Sequence, residues 1–173
     1  MKYSKILPFF ILLLSPVYLF AQTLYGNKQY SLVFNYDTYS NTKVDLSKMT
    51  VENSVVKPPA KLSLSTIEKR LIEQSFKKNR IELLRGEISC YNDTMIVAPT
   101  TDDVIEVYKH GKLILTISVN EYYELNTAKK TSKKYKAAHF VIDVKKMLEN
   151  NPDFNKALKA LRDYAEKNNF IRL

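Results

Sequence analysis

The stretch VIEVYKHGKLILTISVN, Val104 to Asn120, leaves few folds open to the chain that carries it. Ile105 and Val107 alternate with Glu106 and Tyr108. Beyond His110-Gly111, Leu113, Leu115, Ile117 and Val119 alternate with Ile114, Thr116 and Ser118. Period-two alternation on both sides of a glycine reads as a β-hairpin. A two-residue turn at His110-Gly111 pairs Tyr108 with Leu113 and Glu106 with Leu115, which sets the two apolar series on opposite faces. A three-residue loop, Lys109-His110-Gly111, pairs Val107 with Leu113 and Ile105 with Leu115 and gives Gly111 the positive φ such loops end on. The sequence therefore predicts the three-residue loop with a glycine bulge, and a wet second face of Glu106, Lys112, Thr116 and Ser118. A lone hairpin is marginal in water, so amphipathic segments before and after it must cover the apolar face.

Those segments can be read in order. Tyr30 to Tyr36 alternates Tyr30, Leu32, Phe34 and Tyr36 with Ser31, Val33 and Asn35, as a strand does. Asp37 to Lys48 reads as polar and turn-rich, and Met49 to Val56 as a second strand. Lys57-Pro58-Pro59 stops a ladder, because proline supplies no backbone donor. It divides an N-terminal β element (22–60) from a helix–hairpin–helices unit (61–173). Ser65-Thr66-Ile67-Glu68 has capping-box spacing, and Ile67, Leu71, Ile72 and Phe76 follow as the apolar stripe of a helix ending near Asn79. Ile81 and Leu84 are expected to pack down, and Glu87 to Val97 reads as a strand interrupted at Asn92-Asp93. After a polar linker, Glu121 to Thr131, a second helix carries Tyr135, Phe140, Val141, Val144, Met147 and Leu148. Asn151 and Pro152 then cap and open a third, with Phe154, Ala157, Leu158, Leu161, Tyr164 and Ala165 on one face. The predicted fold is α+β: an antiparallel sheet including the central hairpin, packed on one face by about three amphipathic helices.

The first residues carry a different message. Met1 to Ala21 begins with Lys2 and Lys5, continues uncharged and apolar from Ile6 to Leu14, and ends on a small residue, the layout of a cleaved secretory signal. Pro8, Ser15 and Pro16 interrupt a run already short for a membrane span. The expectation is an exported chain, periplasmic or secreted, with no membrane span after cleavage. Residues 22–173 are then a single domain long enough for a proper core. Loss of Lys2 and Lys5 takes the formal charge from +9 to +7, which favours acidic partners. The single cysteine, Cys90, cannot form an internal disulfide and reads as a small buried apolar residue.

Most chemistries lack their parts. Gly26, Gly86 and Gly111 are the only glycines and lie far apart, so no phosphate-cradling loop and no nucleotide cofactor are expected. His110 and His139 stand in no metal-ligand spacing, so no metal is expected either. Cys90 with His139 is the one nucleophile–base pair the chain could assemble. Asp102 and Asp103 are adjacent and point apart in extended chain. Glu121 and Glu124 could converge as a carboxylate pair, the arrangement used in glycoside hydrolysis, yet they read as ordinary surface residues. Asn92-Asp93-Thr94 matches a glycosylation sequon, but the lysine-, asparagine- and isoleucine-rich, glycine-poor composition is that of an AT-rich bacterium, where the match is chance.

One surface feature stands above this background. Lys129, Lys130, Lys133, Lys134 and Lys136 surround Tyr135 and follow Tyr122 and Tyr123. Lysines can meet phosphate, sulfate or carboxylate groups while tyrosines stack on sugars or bases. A basic helix start opposes the helix dipole, so helix stability does not account for the run.

The succession of an LSxxEK helix (Leu64 to Lys69), NRIELLRGE (Asn79 to Glu87), a DxIxV hairpin (Asp103 to Val107) and an FxxxV helix (Phe140 to Val144) resembles small secreted bacterial proteins of unknown function. The resemblance covers about residues 60–155 and rests on core and cap positions. It implies export and fold, and carries neither an activity nor a site residue. The sequence thus predicts an exported, non-enzymatic module that binds an envelope protein or an anionic envelope component, with an inhibitor or immunity-like plug as one version of that role. A small envelope hydrolase is the alternative.

Overall fold

The structure, a computed structural model, describes residues 29–37, 41–91, 101–125 and 129–168. The signal-like residues 1–21 and the sequon at Asn92 lie outside that set. The elements run β1 (Tyr30–Tyr36), β2 (Thr42–Asp45), β3 (Thr50–Glu52), β4 (Ala60–Lys61), α1 (Thr66–Lys78), a 3-10 turn (Ile81–Leu83), β5 (Gly86–Cys90), β6 (Asp102–Lys109), β7 (Lys112–Asn120), α2 (Lys133–Glu149) and α3 (Pro152–Lys167). The fold is α+β. Seven strands make one sheet in the order β4-β3-β2-β1-β6-β7-β5, and three helices supply the second layer. β1 pairs directly with β6, Phe34 opposite Ile105, so the N-terminal strands and the hairpin share one sheet. Every strand pair is antiparallel except β5 with β7, which is parallel.

The hairpin forms, but its turn differs from the expectation. His110 and Gly111 both take positive φ, 50° and 77°, which is a two-residue type I′ turn closed by Lys109 opposite Lys112. The register then shifts: Tyr108 faces Leu113 while Val107 faces Leu115, leaving Ile114 as the extra residue of a bulge. That one residue reverses the phase of β7. Ile105, Val107, Leu115, Ile117 and Val119 therefore all reach the core, and Leu113 is left 51% exposed. The apolar residues thus share one face, as the alternation requires, but a bulge within the strand achieves this with the turn that best matches strand twist.

A second departure is β2, which lies inside the stretch read as turn-rich. Its Val44 and Thr42 are buried opposite Phe34 and Tyr36. TKVD is short and holds one apolar residue, so periodicity does not register it.

α1 starts at the expected capping box, with Ser65 Oγ accepting from the Glu68 N–H at 3.2 Å and Glu68 Oε2 accepting from the Ser65 N–H at 2.7 Å. Its buried face takes in only half of the predicted stripe. Ile72 and Phe76 go inward with Ser75 and Asn79, whereas Ile67 and Leu71 are 71% and 51% exposed. Polar bonds account for the rotation: Ser75 Oγ donates to Asp143 Oδ2 at 2.6 Å and Asn79 Nδ2 donates to Ser75 O at 2.9 Å. The first ties the Ser75 side of α1 to α2, and the second, within α1, satisfies the buried Asn79 amide. The face of α2 is as read, with Phe140, Val141, Val144, Met147 and Leu148 buried, joined by Ala137 and Ala138. Phe140 meets Phe76 edge-on at 5.7 Å, and its complete burial is worth about 1.5–3 kcal/mol. α3 has the expected Asn151 cap and Pro152 start. Only its first half is buried, through Phe154 and Ala157, while Tyr164 is 47% exposed.

Candidate functional site

β5 and β7 are parallel, with Cys90 opposite Val119, so their carboxyl ends emerge side by side. The chain leaves β7 at Asn120, whose side chain organises the exit. Asn120 Oδ1 accepts from the Tyr122 N–H at 3.0 Å, and its Nδ2 donates to Asp102 Oδ1 at 3.0 Å. Asp102 Oδ2 accepts from the Tyr91 hydroxyl at 2.8 Å. α2 begins at this same end. Ser132 caps it, its Oγ accepting from the Tyr135 N–H at 3.1 Å. The buried Cys90 thiol reaches the Lys134 carbonyl at 3.6 Å, which fixes the first turn of α2 over the end of β5.

Lys133, Lys134 and Lys136 therefore sit on a positioned helix start, and Lys129 and Lys130 in the turn that leads into its cap, where the Lys129 carbonyl accepts from the Ser132 N–H. Lys129, Lys130, Lys133 and Lys134 are exposed and Lys136 is half-buried. The first turn of α2 holds no acid, and none of the five lysines has an ion-pair partner among the described residues. The tyrosines divide. Tyr122 is exposed, and the charge of Glu121 together with a hydrogen bond to it holds its hydroxyl above its ordinary pKa. Tyr123 is half-buried against the core beside Cys90; burial pushes its pKa up. Tyr135 is half-buried on the flank of α2, its ring 5.7 Å from that of His139. Tyr91, 42% exposed, belongs to the same end and escaped the sequence reading. The parallel pairing of β5 with β7 brings it there, and local pattern gives no sign of that pairing.

The candidate catalytic groups are engaged elsewhere. Cys90 is fully buried and its pKa is pushed up to about 11 by that burial, against the smaller opposing effects of Lys134 and the Ala138 backbone. The thiol is protonated at neutral pH, the wrong state for a nucleophile. His139 Nδ1 lies 3.1 Å from Asp143 Oδ2, the atom that also accepts from Ser75. Ser75 is buried, bonds to the carboxylate instead of the imidazole, and accepts from Asn79 Nδ2 at 3.1 Å. This is a tie between helices and lacks the serine–histidine contact of a triad. Asp102 and Asp103 point to opposite sides, as expected: Asp103 accepts from the Asp37 N–H at 3.1 Å and from Lys145 Nζ at 2.7 Å. Glu121 and Glu124 are both exposed. Among the described residues no cluster of histidine, cysteine and carboxylate side chains could hold a metal, and no helix is long and apolar enough to cross a membrane.

No family model matches this chain, and no match to it is found among curated proteins or solved structures.

Proposed function

We propose that the protein is an exported, non-enzymatic binding module whose face is the start of α2 with the adjoining exit of β7. Its ligand carries negative charge, as an anionic envelope polymer or as the acidic surface of an envelope protein that this compact basic domain caps. The observation that carries the reading is the group of five lysines, unpaired among the described residues, at a helix N-terminus already positive from its own dipole. Such a placement opposes the helix dipole, so an anion bound there would be favoured by both lysines and dipole. The Cys90–Lys134 contact and the Ser132 cap hold that turn in place, so little order has to be gained on binding. Export rests on the charged, apolar and small-residue succession of Met1 to Ala21.

The test is paired affinity capture from native envelope extract, one bait with the natural sequence and one with glutamate at Lys129, Lys130, Lys133, Lys134 and Lys136. A protein retained by the first bait alone supports an interaction module. Salt-sensitive retention of polymer or lipid by the first bait alone supports anion binding. Identical retention by both removes this face as the site.

A further inference from the structure

We draw no further inference here: the strongest candidate, the open cleft of about 650 Å³ beside β1, β2 and β3, is lined by Lys43 and Lys57 together with Asp37 and Glu52, so its charge selects no ligand class and nothing in the structure shows what would occupy it.

Discussion

Asn151 is the residue whose replacement tests the architecture most sharply. It is 1% exposed and serves three elements at once. Its Oδ1 accepts from the N–H groups of Asp153 and Phe154, capping α3, while its Nδ2 donates to Ser63 O and Glu68 Oε1, both at 3.0 Å. Asn151→Ala loses a cap, about 1 kcal/mol. It also removes a donor from a carbonyl and a carboxylate; a bond to a charged group is worth ~1.5–3 kcal/mol when buried, and less here because Glu68 is partly open to water. The expected loss is about 2–3 kcal/mol. Asn151→Asp separates the two roles. Aspartate caps as well as asparagine, yet it would turn an oxygen toward the Glu68 carboxylate and the Ser63 carbonyl. The expected loss is at least that of alanine, and it should shrink as pH falls and one carboxyl takes a proton. The assay is urea unfolding followed by far-UV circular dichroism, comparing midpoints at unchanged slope. An Asn151→Asp protein within about 0.5 kcal/mol of the natural one would show that Asn151 is a cap and no more.

The other expectations follow from single contacts. Burial favours the neutral form of Glu68, but bonds from the Ser65 hydroxyl, Asn151 and the Ser65 N–H outweigh it and hold the carboxyl below its ordinary 4.5. Its contribution is therefore present above pH 4.5 and disappears as pH falls further, a step that Glu68→Gln should remove from an acid-stability profile. Gly111→Ala should cost about 1 kcal/mol, entirely from backbone strain because nothing lies within 4 Å of an added Cβ; His110→Asn should instead stabilise the turn by about 0.5 kcal/mol. Cys90 should resist a thiol reagent in the native state at neutral pH and react fully once unfolded; rapid native labelling would contradict its burial. Because its pKa is raised from 9.0 to about 11, stability should decline as pH rises through that interval. Burial, followed by the Glu149 charge and hydrogen bond, raises Tyr36 to about 12, so Tyr36→Phe should lessen the further loss between pH 10 and 12.

Several elements were legible because their signals are local. The capping box of α1, the Asn151-Pro152 start of α3 and the alternation of β1 each state their structure within a few residues. The turn of the hairpin was not legible, since a bulge at Ile114 and a longer loop satisfy the same phase requirement and differ only in backbone geometry. Ile72 and Phe76 face inward as their spacing required, while Ile67 and Leu71 stay outside because the bond of buried Ser75 to Asp143 set the rotation of α1 against hydropathy. The exposed half of α3 shows the same limit, as periodicity reports amphipathicity without saying how far a neighbour extends. At the candidate site, the sequence supplied the lysines and the helix they begin. The sequence could not supply Tyr91, nor the Cys90–Lys134 contact, because both depend on a parallel pairing between segments separated by the whole hairpin.

The most direct measurement of the proposed function is a lysine-acetylation footprint of the purified protein, taken in buffer and in native envelope extract. Protection should concentrate at Lys129, Lys130, Lys133, Lys134 and Lys136 and be reversed by salt as screening weakens the contact, with Lys43, Lys57, Lys156 and Lys159 labelled equally in both. Protection centred on those other lysines, or an unchanged pattern throughout, would contradict the assignment of the α2 start as the binding face.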